Sequence, residues 1–352
     1  MQKTIKLKLL PDKEQEQLIS ITMSEYIRLA NDIVADMVTF NEFGKLTSAK
    51  VTAKLPAVLK SQCIQDCKSI FKRYLKTRIE PILKKRVAIW NNQSYKIYQN
   101  DIAFPVLING KCQRIKVKTL IPKDILEMLQ NSKLGTMRIT YKSHKMIAQI
   151  AITVQEEKST GNNIMGVDLG LKCPAVCVTN TNKVKFVGNG RKNKYIRRHF
   201  KAKRRKLGKA KKNNAIKHFA DKEQRIMKDI DHKISRTIIN FAINNNVSII
   251  RLEKLDNIRN TAKISRKNNY NLHTWTFYRL AQYIEYKAKL AGIKIEYVDP
   301  AYTSQTCPKC GEKHKAKDRN YTCHCGFRSH RDLVGAINIC NSTVIVGNRL
   351  SA

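Results

Sequence analysis

The sequence predicts a multidomain α+β protein. A β-rich domain carries a helical insertion after its first strand, and an α/β domain follows, interrupted near its end by a zinc ribbon. Three observations predict this. Period-two alternation of apolar residues frames a period-3.6 helical stretch in the first 155 residues. From Asn163 onward, strands and helices alternate, as in a layered α/β sheet. Between Tyr302 and Ile339, two cysteine pairs sit on glycine-bearing turns.

Ile5, Leu7 and Leu9 alternate with Lys6 and Lys8 in a short strand that Pro11 ends. Asp12 and Gln15 form a capping-box pattern ahead of a helix with Ile19, Met23, Tyr26, Ala30, Ile33 and Met37 on one stripe. A second helix is expected over about 60–79 (Ile64, Cys67, Phe71, Leu75). A third is expected after Pro81, a favourable first-turn residue. The period then switches to two. Phe104–Ile108 and Ile115–Leu120 flank an Asn109-Gly110 turn, a strong hairpin signal. Met137, Ile139 and Tyr141, then Met146, Ala148, Ile150, Ile152 and Val154, alternate around a turn near Ser143. Five or so strands in an open sheet would leave edges exposed, so a β-barrel is expected. The barrel is assigned to 1–10 and 101–158, and the helical insertion to 11–100.

IMGVDLGLK reads as an apolar strand ending in Asp168, with CPAVCVTN and KVKFVG as two more strands. Between Gly190 and Asn214 there are thirteen Lys or Arg and no acid. A run of that length inside a domain points to nucleic-acid backbone contacts, from Arg197, Arg198, Lys201, Lys203, Arg204, Arg205 and Lys206, over a merely solvated helix face. A helix over about 221–245 leads to VSIIRLE, a strand ending in Glu253. Asn257–Asn271 is polar and basic, with too little apolar content to fold alone. Thr274 is expected to open a helix striped with Phe277, Leu280, Ile284, Ala288 and Ala291, which Gly292 ends before the strand of IKIEYVDP. The α/β domain is assigned to 159–302 and 330–345, the ribbon to 303–329, and a tail to 346–352.

In the ribbon, Cys307 and Cys310 form a C-x-x-C knuckle, and Cys323 and Cys325 a C-x-C-G knuckle, with Gly311 and Gly326 directly after them. Four thiolates in two turn-spaced pairs suit one tetrahedral Zn²⁺. Neighbouring Lys and Arg are expected to lower the thiol pKa values. Cys63 and Cys67 fall on a helix as core or surface residues, and Cys112, Cys173, Cys177 and Cys340 read as buried small hydrophobes.

The formal net charge is +41, from 68 Lys and Arg against 27 Asp and Glu. Such charge repels itself in a compact fold unless a polyanion neutralises it, which makes nucleic acid the expected partner. No apolar run approaches the roughly 20 residues of a membrane span, so no membrane partner is expected. The start shows no secretion signal, so a reducing cytoplasm is expected and the paired cysteines read as ligands.

Asp168 and Glu253 end strands and Asp332 begins the last helix. Spacings of about eighty residues exclude a local metal loop, so only a fold could unite the three. Ligands collect at the carboxyl ends of strands in an open sheet. Gly335 and Ala336, on the face of Asp332, would let that helix approach closely. Three converging carboxylates in a basic protein call for two Mg²⁺ ions about 4 Å apart acting on a phosphodiester.

At these residues the chain resembles the TnpB (OrfB) family of insertion-sequence proteins, relatives of the type V CRISPR effectors. The resemblance rests on GVDLGLK, RLEKL, the YKAKLAG–YVDPAYTSQTCPKCG run and HRDLVGAINI. The N-terminal half matches more loosely, through its opening strand, PDKEQEQ and the Tyr26-Ile-Arg28-Leu-Ala-Asn31 segment. It implies a wedge β-barrel, a helical recognition insertion and a RuvC nuclease domain of RNase H-like fold. It also implies a guide RNA and scaffold, a double-stranded DNA target, and cleavage beside a short transposon-adjacent motif. By position, Asp168, Glu253 and Asp332 match the three RuvC acids, and the four cysteines the zinc ribbon that precedes the last acid. His330 stands where many relatives carry Asp. Tyr26, Arg28 and Asn31 are candidates for reading the adjacent motif. A prokaryotic cytoplasm, at the nucleoid, is the implied location. The alternatives are a guide-directed DNA binder without cleavage, which would lack an acid, an integrase-type transposase, whose trio usually runs Asp, Asp, Glu, and a miniature type V effector.

Overall fold

β1 (Gln2–Leu9) lies in a seven-stranded antiparallel sheet with β2 (Val87–Trp90), β3 (Lys96–Ile97), β4 (Asp101–Ile108), β5 (Lys111–Leu120), β6 (Lys133–Lys142) and β7 (Lys145–Thr153), in the order β2-β6-β7-β1-β5-β4-β3. The computed structural model describes residues 1–143, 145–155, 161–255, 270, 273–274, 276–316, 318–343 and 345–347. Asn257–Asn271, Tyr270 apart, and most of the expected tail therefore lie outside the described residues. The chain forms two units, Met1–Val154 and Gln155–Ala352.

In the first unit the alternation of β1 places Ile5, Leu7 and Leu9 in the core, each at most 5 % exposed. Asn109 and Gly110 both take positive φ (50° and 76°), as a two-residue turn between twisted strands requires. α1 (Lys13–Phe40) is opened by the Asp12–Gln15 capping box and buries the expected stripe. α2 (Ala57–Thr77) packs on it, with the Cys63 and Cys67 thiols buried against the carbonyls of Tyr26 and Ala30.

Four expectations need correction here. No helix follows Pro81. The chain leaves α2 at Arg78 in a left-handed turn and runs without regular structure into β2, where Trp90 is worth more in the core than a helix of exposed Lys and Arg would be. The helical segment therefore ends at Thr77, and β2 and β3, within the range assigned to the insertion, belong to the sheet. The sheet is also not closed by a ladder, because β2 and β3 are its edges. It curls instead, so that the indole N–H of Trp90 on one edge strand donates to the Pro105 carbonyl on β4 at 3.0 Å, and the Trp90 and Phe104 rings stand 4.9 Å apart. A short helix, α3 (Lys123–Gln130), joins β5 to β6. Cys112 is exposed on the hairpin β4–β5, contrary to its apolar surroundings in sequence.

The second unit is built on a six-stranded mixed sheet. β8 (Asn163–Asp168), β9 (Ala175–Thr179) and β10 (Val184–Val187) form an antiparallel meander. β11 (Val247–Glu253) runs parallel to β8, β12 (Lys294–Val298) runs parallel to β11, and β15 (Ile345–Gly347) closes the far edge antiparallel, giving β10-β9-β8-β11-β12-β15. The cation run forms α4 (Gly190–Lys209), and α5 (Asn213–Asn244) starts earlier than the sequence suggested, packing Phe219 against Phe200 of α4. α6 (Phe277–Leu290) begins three residues after Thr274 and ends at Gly292 (φ 70°). The hairpin of β13 (Asn320–Thr322) and β14 (Arg328–His330) leads into α7 (Arg331–Asn341), which packs on β8 and β9.

That packing depends on missing side chains. A Cβ on Gly166 of β8 would lie 2.3 Å from the Ala336 carbonyl oxygen and 2.4 Å from the Cys340 nitrogen, so α7 rests directly on strand backbone.

Candidate functional site

Asp168 and Glu253 are the last residues of neighbouring parallel strands. Leu252 pairs with Val167, so the two acids that follow stand level, about one strand spacing (~4.8 Å) apart and on the same face. Asp332 enters from the first turn of α7. Gly335, one turn further on, faces the Asp168 carboxylate, and a Cβ there would lie 3.2 Å from Oδ2. The close approach expected of the small pair is thus realised, and it brings the third acid to the first two.

The electrostatics follow from that convergence. Burial, then the charges of Glu253 and Asp332, hold the Asp168 carboxyl well above its usual range, while Arg319 and Arg331 act in the opposite sense. Burial pushes Glu253 up to about 6, against the lowering effect of a hydrogen bond from Thr303.

Two residues from the 303–329 segment hold the acids. The Thr303 hydroxyl donates to Oε1 of Glu253, and the Arg319 guanidinium donates to Oδ1 of Asp332. Among the described residues, Asp332 Oδ2 is buried with no hydrogen-bond partner. His330 caps α7, its Nδ1 accepting the Asp332 N–H at 3.2 Å, which gives a local role to the residue at which the chain departs from the family it resembles. Thr303 and Arg319 were not legible as site residues, because only the docking of this segment on α7 brings them there. Asn338 of α7 secures that docking by donating to the Thr303 and Thr306 carbonyls, each at 2.7 Å.

The donor chemistry suits hard divalent cations, but the three acids do not all bring an oxygen within 4.8 Å of one another, as the ribbon cysteines do with their sulfurs. The donor set consists of carboxylate oxygens only, one of them buried and, among the described residues, unpartnered, with mutual repulsion that a bound cation would relieve.

In the ribbon the four cysteine sulfurs all lie within 4.8 Å of one another, with Cys307–Cys325 at 3.7 Å and Cys310–Cys323 at 3.4 Å. A zinc ion with four sulfurs about 2.3 Å away sets sulfur pairs about 3.8 Å apart, so the cluster fits it. Gly311 and Gly326 take φ of 77° and 81° at the knuckle turns, which explains glycine at both. Burial pushes the Cys307 thiol up, but the backbone N–H groups of Cys310 and Lys309 outweigh it and bring it down to about 7. The expected effect of neighbouring Lys and Arg side chains is therefore supplied by backbone donors. Cys310 moves the other way, to about 12: the Glu312 N–H lowers it, but the crowd of neighbouring sulfurs prevails. Val334 of α7 packs into the ribbon core with Cys307, Tyr321 and Cys323, so ribbon and acid-bearing helix share one cluster.

The seven expected backbone contacts sort onto two faces of α4. Arg197 and Arg204 pair with Glu223 of α5, at 3.7 and 2.6 Å, and Lys203 lies over the Phe219 ring. Lys201 lies 3.9 Å from the Tyr270 ring centre. Arg198, Lys201, Arg205 and Lys206, with Lys209, line an exposed groove along the helix. Inward pairing thus removes Arg197 and Arg204 from the free cations, which a linear count of charge could not show.

The candidate motif readers are placed less favourably than expected. Tyr26 is 0 % exposed in the core. Asn31 spends both ends of its amide on the Leu83 backbone, at 2.8 and 3.0 Å. Arg28 alone is exposed, between Glu25 and Asp32.

Comparison with known proteins gives two family matches. Residues 148–259 match a family described as probable transposase (OrfB_IS605), and residues 277–339 match the Cas12f1-like TNB domain. The chain is 36 % identical over 164 residues to a TnpB-like protein of Methanocaldococcus jannaschii, covering 44 % of this chain and 59 % of that one. It is 30 % identical over 196 residues to the CRISPR-associated endodeoxyribonuclease Cas12f1 of Sulfoacidibacillus thermotolerans, covering 51 % of this chain and 45 % of that one. The chain spans about half the length of these curated relatives. Its fold is that of the protein in a solved Cas12f1–sgRNA–target DNA complex, with a TM-score of 0.71 over 98 % of this chain and 99 % of that one, at 15 % identity.

Proposed function

We propose that the chain is a member of the TnpB (OrfB) family, relatives of the type V CRISPR effectors, in keeping with the matches over 148–259 and 277–339, and that it is an RNA-guided DNA endonuclease that hydrolyses phosphodiesters at Asp168, Glu253 and Asp332. The observation that carries this reading is the meeting of those three acids at the carboxyl end of β8 and β11, in a chain of net charge +41. The strand order, three antiparallel strands followed by two parallel ones, supports a RuvC domain of RNase H-like fold. Residues 303–329 are its inserted zinc ribbon. The curled sheet of the first unit is the wedge domain, and α1 and α2 are its recognition helices.

Asp168, Glu253 and Asp332 would hold two Mg²⁺ ions. When bound, such ions supply activation of the attacking water and stabilisation of the leaving oxygen. The protein's own part is orientation. Thr303 fixes the Glu253 carboxylate, the α7 cap formed by His330 fixes the turn that carries Asp332, and Arg319 and Arg331 set positive charge where a scissile phosphate must sit.

Guide RNA and double-stranded DNA are the partners, in keeping with the sgRNA and target DNA bound by the similar Cas12f1 chain. Arg198, Lys201, Arg205 and Lys206 serve as backbone contacts, which suffice because base pairing carries the sequence. The protein itself reads only a short motif beside the target. Among the described residues no helix is long and apolar enough to cross a membrane.

The test is direct. RNA co-purifying with the full chain is sequenced, and a matching DNA target is supplied with Mg²⁺. Cut products are expected. Guided binding to the target without any cutting would replace the nuclease by a regulator, and absence of bound RNA would remove the guide.

A further inference from the structure

The row of residues that carries Asp168 continues past the acids. Asp168 of β8 pairs with Val176 of β9, and Val176 pairs in turn with Phe186 of β10, the edge strand. Directly opposed residues of antiparallel strands point to the same face, so Asp168, Val176 and Phe186 stand level on one face of the sheet. It is the face that α7 covers: Gly335 meets the Asp168 carboxylate, and Val176 packs in one cluster with Ala336. Phe186 therefore lies two strand spacings from Asp168, about 10 Å.

The cover of α7 ends at β9. Val176 is 0 % exposed beneath it, whereas Phe186 is 49 % exposed and Val184, on the same face of β10, 44 %. Lys185, between them, points the other way and lies over the Phe241 ring of α5. A lone exposed aromatic is ordinary. Phe186 is distinguished by what it touches. Its ring stands perpendicular to that of His330, with centres 5.5 Å apart, and His330 caps the turn that carries Asp332. The ring is thus tied to the acids while much of it stays open.

Cations complete the surroundings. α4 begins against the loop that follows Asp168, the Gly190 N–H donating to the Lys172 carbonyl at 2.9 Å. The charges of Lys172, Arg198 and Arg319 all act on Lys194 of α4, so these groups border one another, and Arg319 reaches Asp332. A ring level with the acids and cations leading from the acids to α4 are the two parts of a surface for a single strand. One takes a base and the other the phosphates.

We propose that Phe186 stacks the base of a nucleotide next to the scissile phosphate, and thereby fixes which phosphodiester lies over Asp168, Glu253 and Asp332. Stacking needs a free base face, so the base leaves the stack of its own strand before it docks. The ring reads no base edge, so any base serves and a missing base does not. This inference rests on the nuclease reading of the acids and adds to it the group that sets the position of the cut.

The test first locates the base. The full chain loaded with its co-purifying RNA is held in Ca²⁺ with a matching target whose unpaired strand carries one iodouracil, moved a nucleotide at a time. RNA-free chain with the same strand alone is the second arm. Long-wavelength light couples iodouracil to an aromatic ring stacked on it, and mass spectrometry of the joined peptide is expected to identify Phe186 in at least one arm. No coupling at Phe186 in either arm overturns the proposal. Cutting is then measured in Mg²⁺. Phe186→Leu, which keeps an apolar side chain but loses the ring, should cut about tenfold more slowly than wild type, the equivalent of one stacking contact. Its cut positions should scatter while its unfolding temperature stays unchanged. Phe186→Trp should restore both rate and position. A strand abasic at the coupling nucleotide should be cut equally slowly by wild type and Phe186→Leu. Wild-type rate and cut positions in Phe186→Leu overturn the proposal, as does a loss of rate that persists in full on the abasic strand. Coupling at Phe186 in a chain that cuts nothing leaves the platform standing and removes the nuclease reading, so the two fail separately.

Discussion

Arg319, just before the β13–β14 hairpin, donates to one oxygen of Asp332, while the other oxygen of that carboxylate is buried and, among the described residues, without a partner. The acid is therefore half satisfied by a cation from its own chain and half open to another. A divalent ion and Arg319 compete for the same negative charge. A partly exposed pair of this kind is worth about 1 kcal/mol, roughly a fivefold change in binding. Arg319→Gln should accordingly tighten Mn²⁺ binding about fivefold, measured by electron paramagnetic resonance titration. Unchanged or weaker binding would mean that Arg319 does not oppose the metal.

The ribbon and the acids share α7, through Val334 in the ribbon core and Asn338 bonded to Thr303 and Thr306. Loss of zinc should therefore reach the site. Cys307→Ser is expected to abolish stoichiometric zinc, measured by elemental analysis, and to lower cutting at least tenfold. Wild-type cutting by a zinc-free variant would reduce the ribbon to an accessory.

The raised carboxyl groups make a prediction about pH. A group whose folded pKa exceeds its unfolded value binds protons more tightly when folded, so its stabilising effect is full below the unfolded value and is lost as pH rises through the folded one. For Glu253, raised from 4.5 to about 6, the loss falls between these values and is on the order of 2 kcal/mol. In metal-free protein Glu253→Gln should match wild type near pH 4 and melt at higher temperature near pH 8. A variant that melts lower at pH 8 would contradict the burial of charge at this site.

Two glycines on either side of one contact should behave oppositely. At Gly166 a Cβ would meet immovable backbone at 2.3 Å, so Gly166→Ala should cost about 3 kcal/mol or more. At Gly335 the neighbour is the Asp168 carboxylate at 3.2 Å, and an alanine inside a helix gains about 1 kcal/mol. Gly335→Ala should stay folded but displace Asp168 and slow cutting. Thermal unfolding of both variants, with cutting assayed for the second, checks this.

Much of this site can be read in the sequence because its acids sit at element ends, and ends are marked. Asp168 and Glu253 close apolar strands, and Asp332 opens a helix of small residues. Likewise the Asn109-Gly110 turn announces its hairpin through local backbone chemistry alone. What is not legible depends on partners far along the chain. Trp90 is in a strand because Phe104 and Pro105 receive it, which no local signal after Pro81 conveys. The half-closure of the sheet, the pairing of Arg204 with Glu223, and the approach of Arg319 and Thr303 to the acids are all of that kind. Tyr26 shows the reverse: its place on the inward helical stripe already marks it as core, and the fold leaves it 0 % exposed, out of reach of a nucleic-acid base.

The most direct test of the central claim is cutting by Asp168→Ala loaded with the co-purifying RNA. Removal of this one carboxylate should leave binding of a matching DNA target within about twofold of wild type and lower cutting by at least a thousandfold in Mg²⁺. Cutting at the wild-type rate would contradict the assignment of the site to Asp168, Glu253 and Asp332.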